Sequence, residues 1–175
     1  LFIDLFCKDK EGKQNFISLY NALHNTNLDL ATTTVQEVNI ENVLYMALSN
    51  DIAMLVDNRL VVLVEHQSTI NENMPLRLLE YVSRIYEQLV PSEDRYEKKM
   101  IKIPYPEFFV FYNGTEDYPV ETELRLSDAF IFPEGKYNVK SSDLTIEIKV
   151  KIININSDKQ SPILKQCKKL EEYSL

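Results

Sequence analysis

The chain of 175 residues has no tryptophan, three glycines, two cysteines and two histidines. Each scarcity removes a class of chemistry. With so little glycine there is no Gly-rich loop to cradle the phosphates of a nucleotide, so nucleotide hydrolysis is not expected. Cys7 and Cys167 stand far apart without metal-ligand spacing, and two histidines cannot make up a zinc cluster. The two thiols read as reduced side chains of a cytoplasmic protein. No apolar run approaches the roughly 18 residues of a membrane span, and the opening LFIDLFCKDKEGK lacks the form of a secretory signal. Basic residues are also short, 19 Lys and Arg against 27 Asp and Glu, a net charge of −8. Bulk electrostatics therefore do not favour a protein that coats nucleic acid, although a local basic groove remains open. Internal repeats and low-complexity tracts are missing too. What is left, 45% hydrophobic and 26% charged, is ordinary for one α/β domain spanning residues 1–175.

The most informative stretch is NDIAMLVDNRLVVLVEHQ, Asn50 to Gln67. Ile52 to Val56 and Leu60 to Val64 are short apolar runs separated by Asp57-Asn58-Arg59, the pattern of a hairpin buried on both faces at the centre of a helix-covered sheet. Asp51 opens the first strand, and Glu65 and Gln67 close the second. In a regular strand Glu65 and Gln67 share a face while His66 takes the other. For Asp51 to join them, position 51 must pair near 65, which requires a three-residue loop with Asn58 or Arg59 left-handed. A two-residue turn at Asp57-Asn58 would instead pair Asp51 with Val64. Two carboxylates and an amide at one sheet edge suit a hard divalent cation such as Mg²⁺ or Mn²⁺. The plainer reading is a set of polar strand ends meeting solvent.

The rest of the chain supplies a frame. Phe16, Leu19, Tyr20 and Leu23 mark one apolar face of a helix over Gln14 to His24, and Val35 to Leu48 is expected to hold at least one strand. Pro75 suits the first turn of a helix running to about Leu89, with Leu78, Val82, Ile85 and Leu89 facing the core. Arg77, Tyr81, Arg84 and Gln88 form a neighbouring polar row that could receive phosphate oxygens. Alternatively it is a solvated face with Glu80–Arg84 and Arg84–Glu87 ion pairs. Phe108 to Tyr112 reads as an interior strand ended by Asn113-Gly114. Thr115 to Lys140 reads as an elaboration with a short element over Leu124 to Phe132, and the alternating Leu144 to Ile155 as a half-buried antiparallel or edge strand. Pro162 to Leu175 reads as one helix.

Asp at the start of one strand and Glu-x-Gln at the end of the next resembles the PD-(D/E)XK nuclease core, with Gln67 where Lys is commoner. The longer run VLVEHQSTINENMPLRLLEYVSRIYEQL, with FFVFYNG and LRLSDAF, is similar to the recombination-promoting nuclease / putative transposase family of bacteria. The resemblance implies an α/β fold of restriction-endonuclease type, a central mixed sheet flanked by helices. It also implies a metal-dependent DNA endonuclease associated with recombination or mobile elements. Asp51, Glu65 and the backbone carbonyl of His66 would bind Mg²⁺ or Mn²⁺, and Gln67 would position the attacking water or a metal ligand through its amide, since a neutral amide cannot act as a base. Arg77, Tyr81 and Arg84 would contact DNA.

Some nucleases of this fold carry a further Glu on the first helix, and the helix over Gln14 to His24 has none, which leaves Glu37 or Glu41 to contribute. Relatives commonly continue past such a C-terminal helix, so a further helical part is expected beyond Leu175. Cutting both DNA strands needs two sites, which makes a homodimer plausible. The alternative function is a catalytically inactive module that keeps the nuclease fold for DNA or protein binding. Carboxylate-pair hydrolysis of a sugar is weaker, because the chain has no Trp for a sugar cleft.

Overall fold

Strands that are apolar on both faces need a cover on each side, and the chain provides one. A computed structural model describes residues 2–38, 51–132 and 139–174, leaving out the side chains of residues 63–67 and Ser141. Two helices, α1 (Phe2–Phe6) and α2 (Asp9–His24), lead into β1 (Val35–Glu37), β2 (Ile52–Val56) and β3 (Arg59–Gln67). Helix α3 (Met74–Leu89) crosses to β4 (Tyr105–Tyr112), and β5 (Glu121–Arg125), β6 (Lys149–Asn154), α4 (Pro162–Gln166) and α5 (Lys168–Ser174) complete the order. The six strands form one mixed sheet in the order β1-β2-β3-β4-β6-β5. Strands β3, β4 and β6 run parallel, and the others are antiparallel to their neighbours.

Alternation along the strands divides the core into two layers. Ile52, Met54, Val61, Phe109, Phe111 and Ile153 meet α1, α2, α4 and α5 on one side. Ala53, Leu60, Val62, Phe108, Val110, Tyr112 and Ile152 meet α3 on the other. The expected helix face is seen in α3, where Leu78, Val82 and Ile85 are buried, each side chain contributing about 2 kcal/mol. The chain is thus an α/β protein with a mixed sheet flanked by helices.

The structure corrects several expectations. The hairpin closes through the two-residue turn Asp57-Asn58, with Val56 paired to Arg59, and not through three residues. It is Asp57 that becomes left-handed, at φ 51°. Aspartate tolerates that conformation, and the Asp57 carboxylate is held by the Thr34 N–H at 3.0 Å. Strand β6 is interior rather than an edge, because the polar segment ETELR folds as β5 and covers its outer side. The C-terminal segment is two helices broken at Cys167, whose φ of −126° and ψ of 93° are extended. The start of the Val35 to Leu48 segment forms β1, while its part from residue 39 onward, including Glu41, lies outside the described residues.

Candidate active site at the carboxyl end of the parallel strands

Because β2 and β3 are antiparallel, the start of β2 and the end of β3 lie at the same end of the sheet. Asp51 immediately precedes β2 and is 5% exposed. With Ile52 paired to Leu63, the ladder continued by one step sets Asp51 opposite Val64, not Glu65. By the expected geometry that register would separate the two acids.

A bulge in β3 changes the phase. Val64 pairs with Val110, but Gln67 pairs with Tyr112, so three steps on β3 match two on β4. One extra residue is inserted around Glu65 and His66, and bulges of this kind often re-aim a strand next to a functional site. Val110 and Tyr112 both belong to the layer facing α3, as does Ala53, two residues beyond Asp51. The register position of Gln67 therefore has the phase of Asp51, while Glu65 and His66 lie within the bulge. The side chains of all three lie outside the described set, so Asp51 is the one member of the predicted trio with described side-chain surroundings.

The expected DNA-facing row divides in the structure. Arg84 is exposed and paired with Glu87 at 3.1 Å, and Arg77 is half-buried with Nη1 3.4 Å from the Met74 sulfur. Tyr81 is corrected: it is 1% exposed and packs in the layer between α3 and the sheet, because it falls on the stripe of Leu78 and Ile85. Its hydroxyl is buried without a hydrogen-bond partner. Burial, then the negative charge of Asp51, pushes its pKa above the usual phenol value. The two side chains thus sense each other electrostatically.

Around this end, a polar network missed by the sequence reading braces the strand ends. Asn154, wholly buried at the end of β6, donates to the Tyr118 carbonyl at 2.9 Å and accepts from the Asn156 N–H at 3.0 Å. Asn156 donates to the Gly114 carbonyl at 2.8 Å. A Cβ at Gly114 would collide with the Ser68 carbonyl oxygen and the Tyr112 ring, so only glycine lets the turn after β4 approach the residue that follows Gln67. The signals in the sequence were Asn113-Gly114 and the alternating asparagines of NIN. Ligands of open α/β sheets bind outside the carboxyl ends of parallel strands, which is where this arrangement lies.

The opposite end of the sheet holds a different group. His24 ends α2, with Nε2 2.9 Å from Glu107 Oε1 and Nδ1 3.0 Å from the Tyr20 carbonyl, so it ties that helix to β4. It is remote in the sheet from Asp51. Glu37, considered as a third acid, pairs with Met54 on the side of α1 and α2, and its charge acts on Cys7. It therefore does not join Asp51. Among the described residues no three His, Cys, Asp or Glu side chains gather as a metal cluster. Both cysteines lie in the layer on the other side of the sheet from the Asp51 phase.

No curated protein and no solved structure matches the chain. The family described as "Putative transposase, YhgA-like" matches residues 17–166, from α2 through the sheet to α4. A match over that much of the chain, taking in Asp51, the bulged end of β3 and α3, means that the protein belongs to this transposase family.

Proposed function

We propose that this protein is a metal-dependent DNA endonuclease that hydrolyses phosphodiester bonds in the service of recombination or mobile elements. The observation that carries the reading is a desolvated carboxylate, Asp51, at the end of an apolar hairpin whose second strand is bulged where Glu-x-Gln falls. Family membership supports a role in DNA processing.

Asp51 and Glu65, with the His66 carbonyl, would hold Mg²⁺ or Mn²⁺. The cation would supply Lewis acidity, lowering the pKa of water and offsetting phosphate charge. Asp51 is held in low dielectric, which strengthens its attraction for a cation. Gln67 has an amide that both donates and accepts, and its part is to orient the attacking water. The water oxygen forms a new bond to phosphorus as the bond to one sugar oxygen breaks, the water's proton leaves to solvent, and the departing sugar oxygen takes up a proton from solvent to become a hydroxyl. Arg77, near the start of α3, and Arg84 farther along receive phosphate oxygens, Arg84 only after release from Glu87. Tyr81 is left out of this surface because it is buried.

The test is nicking and linearisation of supercoiled plasmid in Mg²⁺, Mn²⁺ or EDTA, with Asp51→Ala and Glu65→Ala, each checked for folding. Metal-dependent cutting by the parent and background levels in both variants are expected. A folded parent inert with every metal would remove the enzymatic reading and leave a nuclease-fold binding module.

A further inference from the structure

We propose that Tyr81 is the positioning residue of the acidic site, its hydroxyl donating to an oxygen gathered at Asp51 when a divalent cation binds there. This rests on the reading of Asp51 as a cation ligand. Three observations lead to it. Tyr81 lies on the apolar stripe of α3 between Leu78, Val82 and Ile85, where phenylalanine would fill the same volume without carrying an oxygen into the core. That oxygen is buried and has no hydrogen-bond partner, a state that proteins seldom keep without a use for the group. The side chain also feels the charge of Asp51, as no other described tyrosine with a shifted pKa does.

Helix geometry points the same way. α3 starts from the sheet end where β3 stops, and Tyr81 is seven residues into it, about 10 Å along the axis. Helical side chains lean back toward the N-terminus, so the ring is directed toward the end of the sheet that carries Asp51. A hydroxyl there can fix the orientation of a bound water or phosphate oxygen relative to the Asp51 carboxylate. It has no partner of its own to give up.

Tyr81→Phe removes only that oxygen. The measurements are Mn²⁺ titration by calorimetry and thermal melting in EDTA and in Mn²⁺, for the parent, Tyr81→Phe and Asp51→Ala. In EDTA the Phe variant is expected to melt at or above the parent temperature, because an unpaired buried hydroxyl is gone. Its Mn²⁺ affinity should fall about 10- to 100-fold, the usual effect of losing an outer partner of a metal site. Plasmid cutting at low Mn²⁺ should fall with it and recover as Mn²⁺ is raised. Parent-like Mn²⁺ binding by Tyr81→Phe, with binding lost in Asp51→Ala, would overturn the role of Tyr81 alone. A lower melting temperature for Tyr81→Phe in EDTA, with unchanged Mn²⁺ affinity, would make the tyrosine structural and overturn it likewise. A parent that binds no Mn²⁺, or an Asp51→Ala variant that still binds it, would overturn the cation site and this proposal together.

Discussion

Gly114 is a position where a single methyl group would be felt at the site. The turn after β4 presses against the carbonyl of Ser68, so a Cβ must push that turn away from the end of β3. Gly114→Ala is expected to cost about 1–3 kcal/mol, the usual cost of overpacking, measurable by urea unfolding. It should also weaken Mn²⁺ binding, because the displaced backbone directly follows Gln67. Gly114 and Tyr81 differ in what could be read beforehand. Asn113-Gly114 announces a turn by itself, whereas nothing in LLEYVSRIY tells whether the tyrosine belongs to the polar row or to the apolar stripe. Both rows pass close to position 81 at helical spacing, and packing against the sheet assigned it to the core.

Helix α3 leaves the end of the sheet that carries Asp51, and its two arginines are in different situations. Arg84 is exposed and engaged with Glu87, a surface pair worth a few tenths of a kcal/mol, about 0.3–0.5. Arg77 is half-buried near the start of the helix, closer to the sheet end of Asp51. Arg77→Ala is therefore expected to weaken DNA binding and to reduce the salt dependence of the binding constant by about one unit. Arg84→Ala should change both much less, as read by fluorescence anisotropy across a salt series. The bulged hairpin teaches a related lesson. The two strands were legible from their apolar runs, but turn length and bulge together set which positions share a face. The expected three-residue loop would have brought position 51 opposite 65. The chain has a two-residue turn, and the insertion in β3 returns the position of Gln67 to the phase of Asp51.

For the molecule as a whole, burial of ionisable groups makes stability depend on alkaline pH. Cys7, 5% exposed, has its thiol pushed up to about 12 from 9.0 by burial and then by the charge of Glu37. Below pH 9 the thiol is protonated in the folded and unfolded chains alike, and stability is unaffected. Between about 9 and 12 the unfolded chain has lost the proton and the folded chain keeps it, so stability falls as pH rises. The loss has a ceiling of about 4 kcal/mol. Burial raises Cys167, Tyr20, Tyr86 and Tyr118 in the same direction. The urea midpoint should therefore decline from pH 8.5 to 10.5, and Cys7→Ala should flatten part of that decline.

By itself the sequence determined the class of the molecule and the place to look. Runs such as LVVLV are apolar at every position, so they require helices on both sides, and the polar residues that end them had to collect at strand termini. Residue spacing also specified Leu78, Val82 and Ile85 as core positions of α3. Other features were decided only by tertiary structure, because they depend on partners distant in the chain. β6 is interior because the polar β5 pairs with it. Tyr81 is buried because its helix lies on the sheet at one rotation. Gln67 shares the phase of Asp51 because β4 offers two positions where β3 has three. Each is a choice of register or packing made between segments whose own composition allowed another.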